Sequence, residues 1–149
     1  MENINHVANW FLSQDSMTHK KLQKLCYYAQ AWSCALFDKP LFDNEIQAWV
    51  HGPVITELYH VYADYKWNSI PQKDFDESLL CADSLQILNA VYNTYGKFSG
   101  DQLEALTHSE LPWQEARGDL EPWEACTNSI SLESMKSYYG KKYAEAQND

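Results

Sequence analysis

The chain has 149 residues, 21 acidic against 11 basic side chains, a formal net charge of −10, and 14% aromatic residues. That length is enough for one domain with a sizeable core and no stabilising disulfide or metal. The charge excludes a general nucleic-acid binder, which needs a basic face against phosphate, and no apolar run is long enough to span a membrane.

In chain order, residues 3–13 carry Ile4, Val7, Ala8, Trp10, Phe11 and Leu12 at helical spacing. The first six residues lack the basic and apolar regions of a signal peptide, so a cytoplasmic protein is expected. Residues 18–37 hold the longest helical pattern, with Leu22, Leu25, Cys26, Ala29, Trp32, Ser33 and Leu36 on one face. Tyr27, Tyr28, Ala31, Cys34 and Ala35 widen that face beyond half the circumference, which predicts a central helix with partners on several sides. Thr18 is its N-cap by type, and Pro40 limits its C-terminal end.

Glu45 to Val50 alternates polar and apolar residues, which predicts a short strand stopped by His51-Gly52-Pro53. Helical spacing resumes over Val54–Tyr65, with Pro53 suited to a first turn. Ile70-Pro71 reads as extended, a possible pairing partner for the earlier strand. Ser78–Tyr95 predicts a second long helix closed by Gly96. Ser99 and Gln102 form a capping-box signature for the next one. Leu111–Gly118 is a short helix started by proline and ended by glycine, Asp119–Ser129 is an irregular acidic connection, and Ser131 caps a last helix that frays after Tyr143. The fold class is therefore mainly α: one compact domain over residues 1–149, of about six to seven helices around the 18–37 helix, with a small β element near residues 41–50.

Catalytic patterns are missing. There is no glycine-rich phosphate loop, nucleophile elbow or paired-histidine zinc motif. Glu57 and His60 stand one helical turn apart, but a di-metal bundle needs that motif twice with further glutamates. Cys26, Cys34, Cys81 and Cys126 form no CxxC pair. Cys26 and Cys34 lie about 12 Å apart along one helix, too far for a disulfide. No enzyme, cofactor or metal is expected. Two charge features remain. His19, Lys20, Lys21 and Lys24 form a basic knot that needs solvent or an acidic partner. Asp101, Glu104, Glu110, Glu115, Asp119, Glu121 and Glu124 form an acidic stretch suited either to solvent or to a basic partner.

Several blocks occur in fixed order: Leu22-Gln-Lys-Leu-Cys-Tyr-Tyr-Ala-Gln-Ala-Trp32, Pro40-Leu-Phe-Asp-Asn-Glu-Ile-Gln-Ala-Trp49, His51-Gly-Pro-Val54, Glu57-Leu-Tyr59, Tyr95-Gly-Lys-Phe-Ser99, Leu106-Thr-His-Ser-Glu110, Pro112-Trp113 and Glu115-Ala-Arg117. Over roughly residues 5–120 the chain resembles the Panacea domain family of SocA-like, phage-associated antitoxins. Thr56 stands where relatives often have proline, and is expected to cap the following helix instead. The resemblance implies a prophage-borne antitoxin that binds a cognate toxin directly, often a translation-blocking one. The alternative is a proteolytic adaptor that delivers the toxin to an AAA+ protease. No direct nucleic-acid or membrane partner is expected. Some family members carry an added DNA-binding region, for which this chain has no room. For the toxin-binding surface, the bulky side chains beside tight turns point to Trp49, His51, Tyr59, Trp113 and Arg117, and the acidic stretch adds Glu115, Asp119 and Glu121.

Overall fold

The structure, a computed structural model, describes residues 1–148. Among these residues are seven α-helices and two small antiparallel sheets of two strands each. No helix is long and apolar enough to cross a membrane.

Helix α1 (Ile4–Gln14) and the long α2 (His19–Phe37) are joined through β1 (Met17–Thr18). The Thr18 hydroxyl accepts the Lys21 amide at 3.2 Å, and α2 ends at Asp38 in the left-handed region (φ 55°). As its wide apolar face requires, α2 is the hub, with α1, α3 (Thr56–Tyr62), α4 (Ala82–Tyr95), α5 (Gly100–His108) and α7 (Leu132–Gln147) packed around it. Val7, Phe11, Leu22, Leu25, Tyr28, Leu58, Leu88 and Tyr139 are core residues with essentially no exposed surface. Each such side chain contributes about 1.5–3 kcal/mol by leaving water.

Two glutamines of α2 supply backbone partners that no strand provides. Gln30 accepts the Leu41 and Phe42 amides at 2.7 and 3.2 Å and donates to the Phe42 carbonyl at 2.9 Å. Two turns earlier, Gln23 accepts the Ile55 amide at 2.8 Å and donates to its carbonyl at 3.1 Å. Buried backbone polar groups must be paired, so these amides pin the chain as it leaves and re-enters the hub.

The strand expected at 45–50 is β2 (Ile46–Trp49), paired with β3 (Gly52–Ile55) in the register Ile46↔Ile55 to Trp49↔Gly52. Pro53 and Val54 therefore belong to a strand, not to a helix starting at Val54. α3 begins at Thr56 and stops at Tyr62, followed by a 3-10 turn over Ala63–Tyr65. Proline is tolerated because Ala48 and Pro53 turn their backbone groups away from each other. The Ala48 amide donates to Asn128 O at 2.9 Å, and the Pro53 carbonyl accepts from Lys24 at 3.3 Å. Thr56 is not a cap either: Ile55 occupies that position, and the Thr56 hydroxyl donates to Glu57.

Other boundaries moved for local reasons. β4 (Ser69–Ile70) pairs with β1 rather than with the 45–50 strand. Asp76 caps a 3-10 turn over Glu77–Leu79, Leu80 is extended, and α4 starts only at Ala82 instead of Ser78. The capping box of α5 forms as expected, with Ser99 and Gln102 bonded reciprocally at 3.1 and 2.8 Å. α6 (Leu111–Arg117) starts with Pro112 in its first turn and ends at Gly118 (φ 61°). α7 continues through Gln147, past Tyr143, and Leu132 faces solvent while Met135 and Tyr139 are buried. Its hold on the hub includes the buried carboxylate of Glu110, which accepts from Tyr28 and Tyr139 at 2.7 and 2.9 Å and pairs with Lys142 at 3.2 Å.

Candidate partner-binding groove

The β2–β3 turn, the start of α2, the α3 segment and the start of α5 enclose an open groove of about 880 Å3. Trp49, Val54 and Tyr59 give it apolar walls, and Trp67, 83% exposed, stands at its rim. Trp49 and Tyr59 meet edge to face at 5.0 Å, and Tyr59 lies 5.3 Å from the His19 ring. The Trp49 indole N–H donates to Gln47 at 2.7 Å, which fixes its plane across the turn. Ala125, Cys126 and Thr127, from the connection before α7, complete the lining.

Polar groups are grouped along the α2–α5 side. Lys20 Nζ pairs with Asp101 at 2.9 Å and Glu104 at 2.8 Å, and His51 reaches Glu104 at 3.3 Å. Although half of the Lys20–Asp101 pair is exposed, Glu104 keeps its carboxyl below the usual range through Lys20 and His51, against the opposing effect of burial. His19 is buried, and burial followed by the nearby Lys24 pulls its pKa down to about 4. Lys24 is enclosed, and burial pulls its amine down to about 7 despite Glu104. The basic knot, for which solvent or an acidic partner was expected, is thus divided, and among the described residues Lys20 alone of its lysines has acidic partners. Lys20 is paired, Lys21 donates to the Gly96 carbonyl at 2.6 Å, and Lys24 lies beneath the hairpin.

Gly52 permits that burial. Its φ of +108° disfavours a side chain, and a Cβ there would lie 2.6 Å from Lys24 Cε. The backbone angle favours glycine here, and any side chain would also have to displace the end of Lys24.

Of the residues named from sequence, Trp49, His51 and Tyr59 line the groove. Trp113 and Arg117 are buried behind it, at 5% and 3% exposure, and hold β2. The Trp113 indole donates to the Trp49 carbonyl at 2.8 Å, and its ring stacks on His108 at 3.9 Å. Arg117 lies over the same ring at 4.8 Å and donates to the carbonyls of Ala48 at 2.9 Å, Glu121 at 3.0 Å, and Glu124. These two side chains position Trp49 rather than present a surface. Glu115 lies elsewhere, in a hollow between α6 and α7, and Asp119 and Glu121 are exposed on the following loop. The acidic stretch is likewise divided, since Asp101 and Glu104 are paired and Glu110 is buried.

Sequence reasoning missed His19, Gln23, Lys24 and Trp67. Lys24 carried a signal: at i+3, i+4 and i+7 it shares a flank of α2 with Tyr27, Tyr28 and Ala31, all buried, where a solvated lysine has no place.

The site offers aromatic rings to solvent beside a buried amine, an arrangement suited to holding an apolar protein segment. Glu57 is exposed on α3 with His60, and among the described residues no histidine, cysteine or carboxylate cluster is arranged to hold a metal ion. Cys26 is buried and its thiol is pushed up by burial, away from thiolate chemistry.

No curated protein and no solved structure matches the chain. Residues 22–114, from the core of α2 to α6 and so including Trp49, Val54, Tyr59 and Trp67 of the groove, match the family described as Antitoxin SocA-like, Panacea domain. That span is more than half of the chain and carries a toxin–antitoxin role in general: the protein belongs to the SocA-like Panacea-domain antitoxin family.

Proposed function

We propose that this protein is the antitoxin of a toxin–antitoxin pair and neutralises its toxin by direct, stoichiometric binding in the groove between the β2–β3 hairpin, α3 and α5. The observation that carries the reading is the aromatic wall of half-buried Trp49 and exposed Tyr59 and Trp67, within the segment that matches the family. Monomeric proteins seldom leave several such rings at one open groove without a partner, and Trp and Tyr supply a large share of binding energy where they are later desolvated. A net charge of −10 favours a protein over a nucleic acid as that partner. The toxin acts, and is met, in the cytoplasm.

The test is expression of the adjacent gene alone and together with this one. Growth arrest by the neighbour, relieved in the presence of this protein and accompanied by a one-to-one complex, supports the reading. A harmless neighbour, or one that stays toxic, contradicts it. Relief without a stable complex, with the toxin's half-life shortened, replaces neutralisation by delivery to a protease.

A further inference from the structure

Lys24 lines the groove although only 2% of its surface is exposed. An ammonium has three N–H bonds to place, yet among the described residues Lys24 Nζ has one hydrogen-bond acceptor, the Pro53 carbonyl, at 3.3 Å. Glu104, the acid whose charge acts on Lys24, makes its ion pairs with Lys20 and His51 and no hydrogen bond to Lys24. Thr107 spends its hydroxyl hydrogen on the Glu104 carbonyl at 2.9 Å. Gly52 in turn lacks the one atom that would displace the amine. The hairpin turn is thus built over a buried cationic donor that the protein itself barely satisfies, which is costly unless another group completes it.

We propose that Lys24 is the anion-receiving point of the groove and takes a carboxylate carried on an apolar segment of the toxin, whose apolar part seats against Trp49 and Tyr59. The proposal rests on the groove being the toxin site. A basic group entering here would meet Lys20, Lys24 and Lys66, with Asp101 and Glu104 already paired. The aromatic walls suit a carboxylate on a hydrocarbon carrier better than a phosphate with its larger hydration shell. The titratable groups facing Lys24 are His19 and Lys20 on α2 and Glu104 and His108 on α5. Among them the amine sits near its midpoint at neutral pH, so a carboxylate holds the proton on it and the association takes up protons.

Two probes separate charge from shape: N-acetylphenylalanine, which carries the carboxylate, and N-acetylphenylalaninamide, which does not. Their binding to the full chain is followed by NMR at about pH 6.5 and about pH 9, on either side of the Lys24 midpoint. The expected result is binding of the acid at the Trp49 and Tyr59 resonances, at least about tenfold tighter than the amide. That preference fades at the higher pH and is lost in Lys24→Met. Independently, the Lys24 Cε resonance of the wild type should titrate at higher pH when the acid is present. Binding of neither probe, equal binding of both, an acid preference that survives in Lys24→Met, or an unmoved Lys24 midpoint overturns the proposal. In cells, a wild type that neutralises the toxin alongside a Lys24→Met variant that does so equally well removes the role of Lys24 and leaves the groove. A wild type that fails to neutralise removes the antitoxin reading, while the two probes still decide the anion site.

Discussion

Lys24 and His19 make the stability of the protein depend on pH in one direction. The Lys24 amine titrates at about 7 in the folded chain and at 10.5 when unfolded. Between those values the unfolded chain binds the extra proton, so stability rises with pH across that window, and the full cost of burying the charge is felt below it. Lys24→Met should therefore raise stability by on the order of 2 kcal/mol at pH 6 and by little above pH 10, read from urea denaturation at the two pH values. His19 works lower on the scale, from 6.5 unfolded to about 4 folded. Its contribution is present above pH 6.5 and is lost as pH falls towards 4, so His19→Gln should flatten the acid limb of the stability profile. A third residue separates positioning from binding. Trp113→Ala removes a buried ring and the donor to the Trp49 carbonyl, and should cost about 3–5 kcal/mol of stability in thermal or urea unfolding. A variant as stable as the wild type would contradict its place in the core.

At the scale of elements, the helices with chemical punctuation were legible. Thr18 opens α2, Ser99 with Gln102 opens α5, and Pro112 with Gly118 brackets α6, each by satisfying or sparing a specific backbone group. The β3 strand was not, because Pro53 fits the first turn of a helix as readily as a strand whose amide faces no partner. What decides between them is tertiary: β2 alongside, and the Gln23 amide waiting on α2. The pairing of Ile70 with Met17 was hidden for the same reason, as two-residue strands carry no period. Three residues of the candidate groove, Trp49, His51 and Tyr59, were readable from their place beside tight turns. Lys24 was only hinted at, by its place on the Tyr27–Tyr28–Ala31 flank of α2, since its burial exists only once the hairpin closes over it. Gln23→Leu tests the bridging glutamine: it leaves the Ile55 amide and carbonyl unpaired and should cost about 2–3 kcal/mol, with Ile55 amide exchange accelerated ahead of the α2 core. Unchanged exchange at Ile55 would show that the hairpin does not depend on it.

For the whole molecule, charge and shape have separate duties. The acids on the loop after α6, Asp119, Glu121 and Glu124, are exposed, and Glu124 directly precedes the Ala125–Thr127 stretch that lines the groove. Reversing Glu121 and Glu124 to lysine should slow association with a basic toxin more than it speeds dissociation, and the effect should shrink as salt passes about 0.1 M. An association rate that is flat in salt would confine recognition to the groove itself. Whether the groove holds the toxin is decided by calorimetric titration of the toxin into the wild type and into a Tyr59→Ala/Trp67→Ala double variant. Both rings lie at least one third open to solvent, so the variant should keep its melting temperature. The expected result is one-to-one binding by the wild type and a loss of at least about 2 kcal/mol, roughly thirtyfold, in the variant. Equal affinity in a variant that melts with the wild type would place the toxin on another face.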